Sequence, residues 1–229
     1  MTEISLWTGR LRLGDCYAVW TGSVGDAVAH RHFAAQAVFS SEPVAAIDAR
    51  DQHVEGRCLL IEPNAPHRLL PAADAELWFV EPTAGFGPPP AMVERLTAAA
   101  PLLVSEEGGS AFWRDWLARS PRTPLDARVS QALAAIDRLI PTGSVRLADA
   151  AREAGLSLGR FRHLFAEEVG MPFQRHVLWR RMRVAFEALG RRATATEAAH
   201  AAGFSDSAHF ARTIKAMFGV RATDLLFEA

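Results

Sequence analysis

The run Ala154-Gly155-Leu156-Ser157 returns 48 residues later as Ala202-Gly203-Phe204-Ser205, each time between two stretches of helical periodicity. A glycine in the left-handed conformation ends a helix without a Cβ penalty. The apolar residue after it fills the angle between two helices, and the serine stands where it can N-cap the second one. This is helix-turn-helix punctuation written twice. In the first copy Leu147, Ala150, Ala151 and Ala154 give a small-residue face that another helix can approach closely, while Phe161, Leu164 and Phe165 at i, i+3, i+4 bury the second helix. Gly159, Arg160, Arg162, His163 and Ala166 are left facing outward. In the second copy Ala198, Ala199 and Ala202 precede the turn, and Phe210, Ile214, Met217 and Phe218 form the buried stripe. Ser207, Ala208, His209, Ala211, Arg212 and Lys215 then face out. The offset grows to 49 between Phe161/Phe210 and Gly170/Gly219, so the second turn carries one extra residue, as suits two diverged copies of one motif.

Between the copies, Pro172 suits the first turn of a helix, and no breaker follows until Gly190. At ~1.5 Å per residue this makes a rod of about 27 Å, comparable with the ~34 Å between successive major-groove faces of DNA. Trp179, Met182 and Phe186 would hold the rod against both motifs, leaving Arg175, Arg180, Arg181 and Arg183 for solvent or phosphate.

This arrangement resembles the AraC/XylS family of bacterial transcription regulators over roughly residues 126–224. The matching strings are Ala151-Arg152-Glu153-Ala154-Gly155-Leu156-Ser157, Phe161-Arg162-His163-Leu164-Phe165 with Gly170, and Ala201-Ala202-Gly203-Phe204-Ser205-Asp206-Ser207-Ala208-His209-Phe210-Ala211-Arg212 running into Phe218-Gly219. The resemblance implies base contacts from Arg160, Arg162 and His163 and weaker or backbone contacts from Ser207, His209 and Arg212; RNA polymerase is expected as a partner, with the sign of regulation, activator or repressor, left open. The chain departs from the family pattern at Gly159, at Ala222 in place of the usual proline, and at Leu225-Leu226 in place of an aromatic-arginine ending.

Charge is divided in the same way. Residues 121–229 carry 16 Lys+Arg against 11 Asp+Glu, residues 1–120 carry 9 against 15, and the whole stands at −1. A basic half beside an acidic half is expected when only one half meets phosphate. All but one of those 16 cations are arginine, which forks onto phosphate and guanine more specifically than lysine. No apolar run approaches the ~20 residues that span a bilayer, and the N-terminus lacks a secretory pattern. The expectation is a soluble, cytoplasmic protein with no membrane partner. Cys16 and Cys58 show no metal spacing, and reduced thiols are expected of both.

Residues 17–21, 30–39, 44–49, 58–62, 67–70 and 77–80 read as short strands separated by Gly, Pro, Asp and Asn. Residues 89–99 and 111–119 read as helices, with a linker marked by Pro121 and Pro124 and a further helix over 126–139. Trp113, Trp116 and Leu117 offer a homodimer contact as the alternative to packing on their own barrel. Within the strands, His30-Arg31-His32 is followed by Gln36 and later by Pro63-Asn64-Ala65-Pro66-His67. On a strand, His30 and His32 share a face. This looks like the cupin pattern over about residues 5–82, and such sensing domains are common in the AraC family. The resemblance implies a ligand or metal cluster of His30, His32, Gln36 and His67, for Zn, Ni, Mn or Fe. Where a metal cupin has Glu, this chain has Gln36, which weakens the metal reading in favour of a vestigial or ligand-hydrogen-bonding cavity.

The sequence therefore predicts an α+β chain. Residues 1–84 form a cupin-like β-barrel sensor, 85–124 a helical connector and linker, and 125–229 an all-α DNA-binding domain with two helix-turn-helix motifs joined by a linker helix. The expected function is sequence-specific binding of double-stranded DNA in transcription control, with a small molecule or metal as effector, and no catalysis. The alternatives are a metal-dependent cupin enzyme such as a dioxygenase or isomerase, and an architectural DNA binder whose barrel only dimerises.

Overall fold

The computed structural model describes residues 6–14, 16–82, 89–104, 111–118 and 124–228. The N-terminal strands are β1 (Trp7–Leu13), β2 (Tyr17–Val24), β3 (Ala35–Asp48), β4 (His53–Ile61), β5 (His67–Leu69) and β6 (Ala72–Val80). Then come α1 (Pro90–Thr97), β7 (Leu102–Val104), α2 (Ala111–Leu117), α3 (Ala127–Leu139) and a 3-10 turn at Ile140–Thr142. The helices α4 (Leu147–Glu153), α5 (Leu158–Val169), α6 (Phe173–Gly190), α7 (Ala195–Ala201) and α8 (Ser207–Phe218) lead to a last strand, β8 (Leu225–Phe227). No described helix is long and apolar enough to cross a membrane.

The chain is thus mixed α+β, with an N-terminal β-sheet domain and a C-terminal helical domain, and it divides into two compact units. One holds the described residues of 6–81, 89–118 and 211–228; the other holds residue 82 and 124–210. The connector helices α1 and α2 and the C-terminal residues therefore cluster with the sheet. Pro121, one of the two linker prolines, lies outside the described residues.

In the first unit the sheet runs β7-β4-β3-β6-β2-β1-β8, with β5 also paired to β3. Strand pairing does not close this path into a ring among the described residues. The 14-residue β3 organises it. Its first half pairs with β6 and its second half with β5, with a register irregularity between Phe39 and Val44 against β4. An irregularity of this kind bends a strand and raises its twist. Odd positions Ala35, Ala37 and Phe39 face a core with Trp78, Val80, Cys58 and Leu60, covered by Met92, Trp113 and Trp116. Trp113 and Trp116 are only 2% and 1% exposed, so they pack on their own unit and are not free to form a dimer contact. Leu117 alone of the three is exposed.

Two expectations are corrected. The C-terminal segment is not all-helical, because β8 pairs in parallel with Trp7–Gly9 of β1. His30-Arg31-His32 is not a strand; the segment makes one isolated antiparallel bridge, His30 with His67.

In the second unit, Asp126 N-caps α3 by accepting the backbone N–H of Arg128 at 2.8 Å. A Thr194/Glu197 capping box starts α7. The linker helix α6 runs for 18 residues behind Pro172 and buries Phe173, His176, Val177, Trp179, Met182, Ala185 and Leu189. Phe173 meets Phe161 and Phe165 of α5 with ring centroids 6.0 and 5.4 Å apart. Phe186 is only half-buried.

Candidate functional site

The two Gly turns are built alike. Gly155 and Gly203 have φ of 63° and 70°. The residue after each donates its N–H five residues back, Leu156 to the Ala151 carbonyl at 2.9 Å and Phe204 to the Ala199 carbonyl at 3.0 Å. Each helix end thereby satisfies a carbonyl that would otherwise have no partner. Ser157 occupies the N-cap of α5 as expected, but its side chain makes no capping bond. At the second turn the cap is Asp206, whose carboxylate accepts the His209 N–H at 2.6 Å.

On α5, Phe161, Phe165 and Val169 are buried, while Gly159, Arg160, Arg162 and His163 are exposed. Leu164, expected in the buried stripe, is only half-buried. On α8, Phe210, Ile214 and Met217 are buried, and Ser207, Ala208, Ala211, Arg212 and Lys215 are exposed. His209 is half-buried, its ring edge-on to Phe204 with centroids 5.2 Å apart.

Ion pairing separates the arginines into two groups. Arg138 pairs with Glu153, Arg152 with Asp149, and Arg180 with Asp137 through two bonds of 2.9 Å. Arg181 donates to the Gly143 carbonyl at 2.9 Å and lies over the Phe204 ring, tying the linker helix to the second turn. Among the described residues no acid pairs with Arg160, Arg162 or Arg212. Arg138, Arg152, Arg180 and Arg181 are thus engaged within the protein; Arg160, Arg162 and Arg212 on the two outward faces present five donors each, in a fork that matches phosphate or guanine. Arg180, expected to meet DNA backbone, is paired with Asp137. One exposed residue was missed. Leu158, in the first turn of α5, is 46% exposed, and an apolar side chain there suits a thymine methyl group. Its signal was present, since a leucine beside a serine cap has no place in the i, i+3, i+4 stripe.

The second constellation lies in the sheet unit. Gln36 sits between Ala35 and Ala37 and so points to the face opposite the Trp113/Trp116 core, in register with Ile61 and Phe79. It is 1% exposed; His30, His32 and His67 are 9%, 2% and 1%. The Pro63-Asn64 turn, with Asn64 at φ 64°, delivers His67, and the Asn64 N–H donates to the His32 carbonyl at 2.8 Å. One ring nitrogen of each histidine lies within 4.8 Å of those of the other two.

The tautomers follow from the hydrogen bonds. Nδ1 of His30, His32 and His67 stands 2.9, 2.8 and 2.9 Å from the carbonyl oxygens of Val28, Ala34 and Ala65. A carbonyl only accepts, so each Nδ1 carries the proton. Burial, reinforced by the His32 charge, lowers the His30 pKa to about 3. Burial also pushes His32 down, and burial with its two histidine neighbours pushes His67 well down. The rings are therefore neutral near pH 7, and every Nε2 is a bare lone pair. Backbone-anchored Nδ1–H groups are the arrangement that orients histidines for metal binding. Three imidazole nitrogens suit Zn, Ni, Cu or Fe. Zinc bound to nitrogens at about 2.0–2.1 Å in a tetrahedron sets its ligands about 3.3 Å apart, inside the 4.8 Å within which the three ring nitrogens lie. The residues fit such an ion, and Gln36 Oε1 supplies a fourth donor, 3.1 Å from Nε2 of both His32 and His67.

Residues 150–226 match a family model described as a helix-turn-helix domain. Over 109 residues the chain is 28% identical to the transcriptional activator RhrA of Rhizobium meliloti (strain 1021), a match covering 46% of this chain and 34% of that protein. The chain thus spans about a third of the length of this curated relative. Among solved structures, an apo ToxT variant from Vibrio cholerae is similar with a TM-score of 0.56 at 9% identity, covering 92% of this chain and 97% of that one. Wild-type ToxT with unsaturated fatty acid bound gives 0.54 at 9% identity, covering 93% and 95%. At these identities the likeness is one of fold.

Proposed function

We propose that this chain, whose C-terminal half is a helix-turn-helix domain of the AraC type, is a sequence-specific DNA-binding regulator of transcription rather than an enzyme. The observation that carries this is the pair of outward faces on α5 and α8, where, among the described residues, Arg160, Arg162 and Arg212 have no acidic partner while Arg138, Arg152 and Arg180 do. Arg160, Arg162 and His163 read bases from α5; Ser207, His209 and Arg212 add contacts from the start of α8. The whole-chain charge of −1 does not oppose this, because the excess of cations is confined to the C-terminal half. Activation would bring RNA polymerase as a second macromolecular partner. The test is selection of bound sequences from a random DNA pool, followed by a salt titration of the selected site. Log K falling with log salt by about 0.9 per phosphate contact supports the reading; a salt-independent affinity with no selected motif overturns it.

The sheet domain is the effector domain in this reading, and a divalent metal ion that imidazole suits, of the zinc, nickel or iron class, is its effector; manganese, also expected from the sequence, is disfavoured by a donor set without a carboxylate. His30, His32 and His67 hold it through Nε2. A bound ion supplies a positive centre that draws together four acceptors otherwise facing one another. Wild-type ToxT, which is similar in fold, has been solved with an unsaturated fatty acid bound, in keeping with an effector for a chain of this architecture. Adding zinc to metal-free protein raises its melting temperature in this reading, and His32→Ala abolishes the rise. An unchanged melting temperature for the wild type, with one equivalent of zinc or nickel present, overturns it.

A further inference from the structure

The contacts of Gln36 raise a problem that can be relieved in two ways. Its Oε1 lies 3.1 Å from His32 Nε2 and 3.1 Å from His67 Nε2. Both imidazoles carry their proton on Nδ1, as the Ala34 and Ala65 carbonyls require. Neither Nε2 has a hydrogen to offer, and a carbonyl oxygen has none. Three acceptors thus face each other in a pocket where Gln36, His32 and His67 are at most 2% exposed, and unsatisfied buried polar groups are costly. Two arrangements relieve this. A cation among the lone pairs turns all three into ligands. Alternatively, half a turn of the amide puts its two N–H groups where Oε1 was, one toward each Nε2. The terminal torsion of glutamine is broad and roughly two-fold, so both orientations are accessible.

We propose that Gln36 is a two-position latch that sets the metal affinity of the histidine cluster. With its carbonyl side inward it is the fourth ligand; with its amide side inward it bonds to His32 and His67 and closes the cluster without an ion. The inference rests on the metal reading above and adds to it the reason for an amide at this position. A carboxylate can only accept, so Glu at position 36 has no closed state and adds a charge that favours the ion. Glutamine gives a neutral donor set whose empty form is also satisfied, and binding must break two hydrogen bonds first. This makes the cluster a reversible site, as an effector site must be.

The experiment uses the full chain, labelled with 15N, with zinc as the probe. In metal-free protein the Gln36 side-chain N–H protons are slow to exchange and correlate with Nε2 of His32 and His67; zinc abolishes both properties. In a competition titration against a chromophoric chelator, Gln36→Glu binds zinc at least about tenfold more tightly than wild type, the gain that a new charge in contact with the ion supports. Should Gln36→Glu fail to fold, the amide resonances of the wild type decide alone. Zinc bound equally by both proteins, with Gln36 amide protons that never bond to imidazole, overturns the latch and leaves the metal reading standing. Zinc bound by neither overturns both.

Discussion

Gly219 lies directly against the ring of His30. A methyl group at position 219 would stand 2.6 Å from His30 Nδ1 and also collide with the Val28 carbonyl oxygen. The backbone at Gly219 has φ of 71°, and its carbonyl accepts the Val28 N–H at 2.9 Å. The preceding ring, Phe218, lies 5.9 Å from both His32 and Phe79 by centroid. The end of α8 is therefore part of the wall of the histidine cluster, and the residue that terminates the helix has no room for a side chain.

Gly219→Ala should accordingly cost more than left-handed strain. Gly155 has a similar φ of 63°, but a Cβ there would meet nothing within 4 Å. Gly155→Ala is expected to lose about 1 kcal/mol, the ordinary penalty of that conformation. At Gly219 the same strain is joined by a collision with backbone and with an imidazole fixed by Val28, for a loss of at least about 3 kcal/mol. Thermal unfolding of both variants checks this; equal losses would mean that the His30 contact carries no weight.

The turn glycines were legible because Gly155 and Gly203 repeat within a repeated pattern, and so was the split of α5 into Phe161/Phe165 inside and Arg160/Arg162 outside. The convergence of His30, His32 and His67 was legible too, although for the wrong reason. The strand argument places His30 and His32 on one face, whereas a single bridge to His67 and a turn at Asn64 bring the rings together. Leu225–Phe227 gave no sign of β8, since three residues show no periodicity and their partner, Trp7–Gly9, lies at the far end of the chain. The pairing of Arg180 with Asp137 was hidden for the same reason, as 43 residues separate the two.

Arg162→Ala and Arg180→Ala should separate recognition from scaffolding. The first removes an unpaired guanidinium from the exposed face of α5 and should cost about 1–3 kcal/mol on the selected DNA site, with relaxed preference at one or two base pairs. The second removes a partly exposed ion pair and should cost up to about 1 kcal/mol of stability, with base preference unchanged. Equilibrium binding to the selected site and its single-base variants decides. A uniform loss across all sequences for Arg162→Ala would reduce that residue to a phosphate contact.

Leu158 supplies a test of apolar base contact. Replacing it by serine removes a side chain that is 46% exposed, so folding stability should change by less than about 0.5 kcal/mol. Discrimination for a thymine over uracil at one position of the site, where only the C5 methyl differs, should disappear. Binding to uracil-substituted duplexes is the measurement, and retained thymine preference in Leu158→Ser would rule the contact out.

The second unit should weaken in acid through His176. This ring on α6 packs 5.5 Å from Phe165 by centroid and is 4% exposed. Its Nδ1 has no hydrogen-bond partner among the described residues. Burial first, and the Arg180 charge second, lower its pKa from 6.5 to about 3. The folded protein thus holds a neutral ring that the unfolded chain would protonate. Stability is complete above the unfolded pKa of about 6.5 and is lost as pH falls toward the folded one. By pH 5 the loss from this one group is about 2 kcal/mol. Denaturant unfolding of the 229-residue wild type and His176→Leu at pH 7.5 and pH 5 isolates it. The substitution shifts both curves by whatever repacking costs, but the gap between the two pH values should narrow by that same amount. An unchanged gap would show that His176 is already protonated in the folded protein, or reaches solvent as freely there as in the unfolded chain.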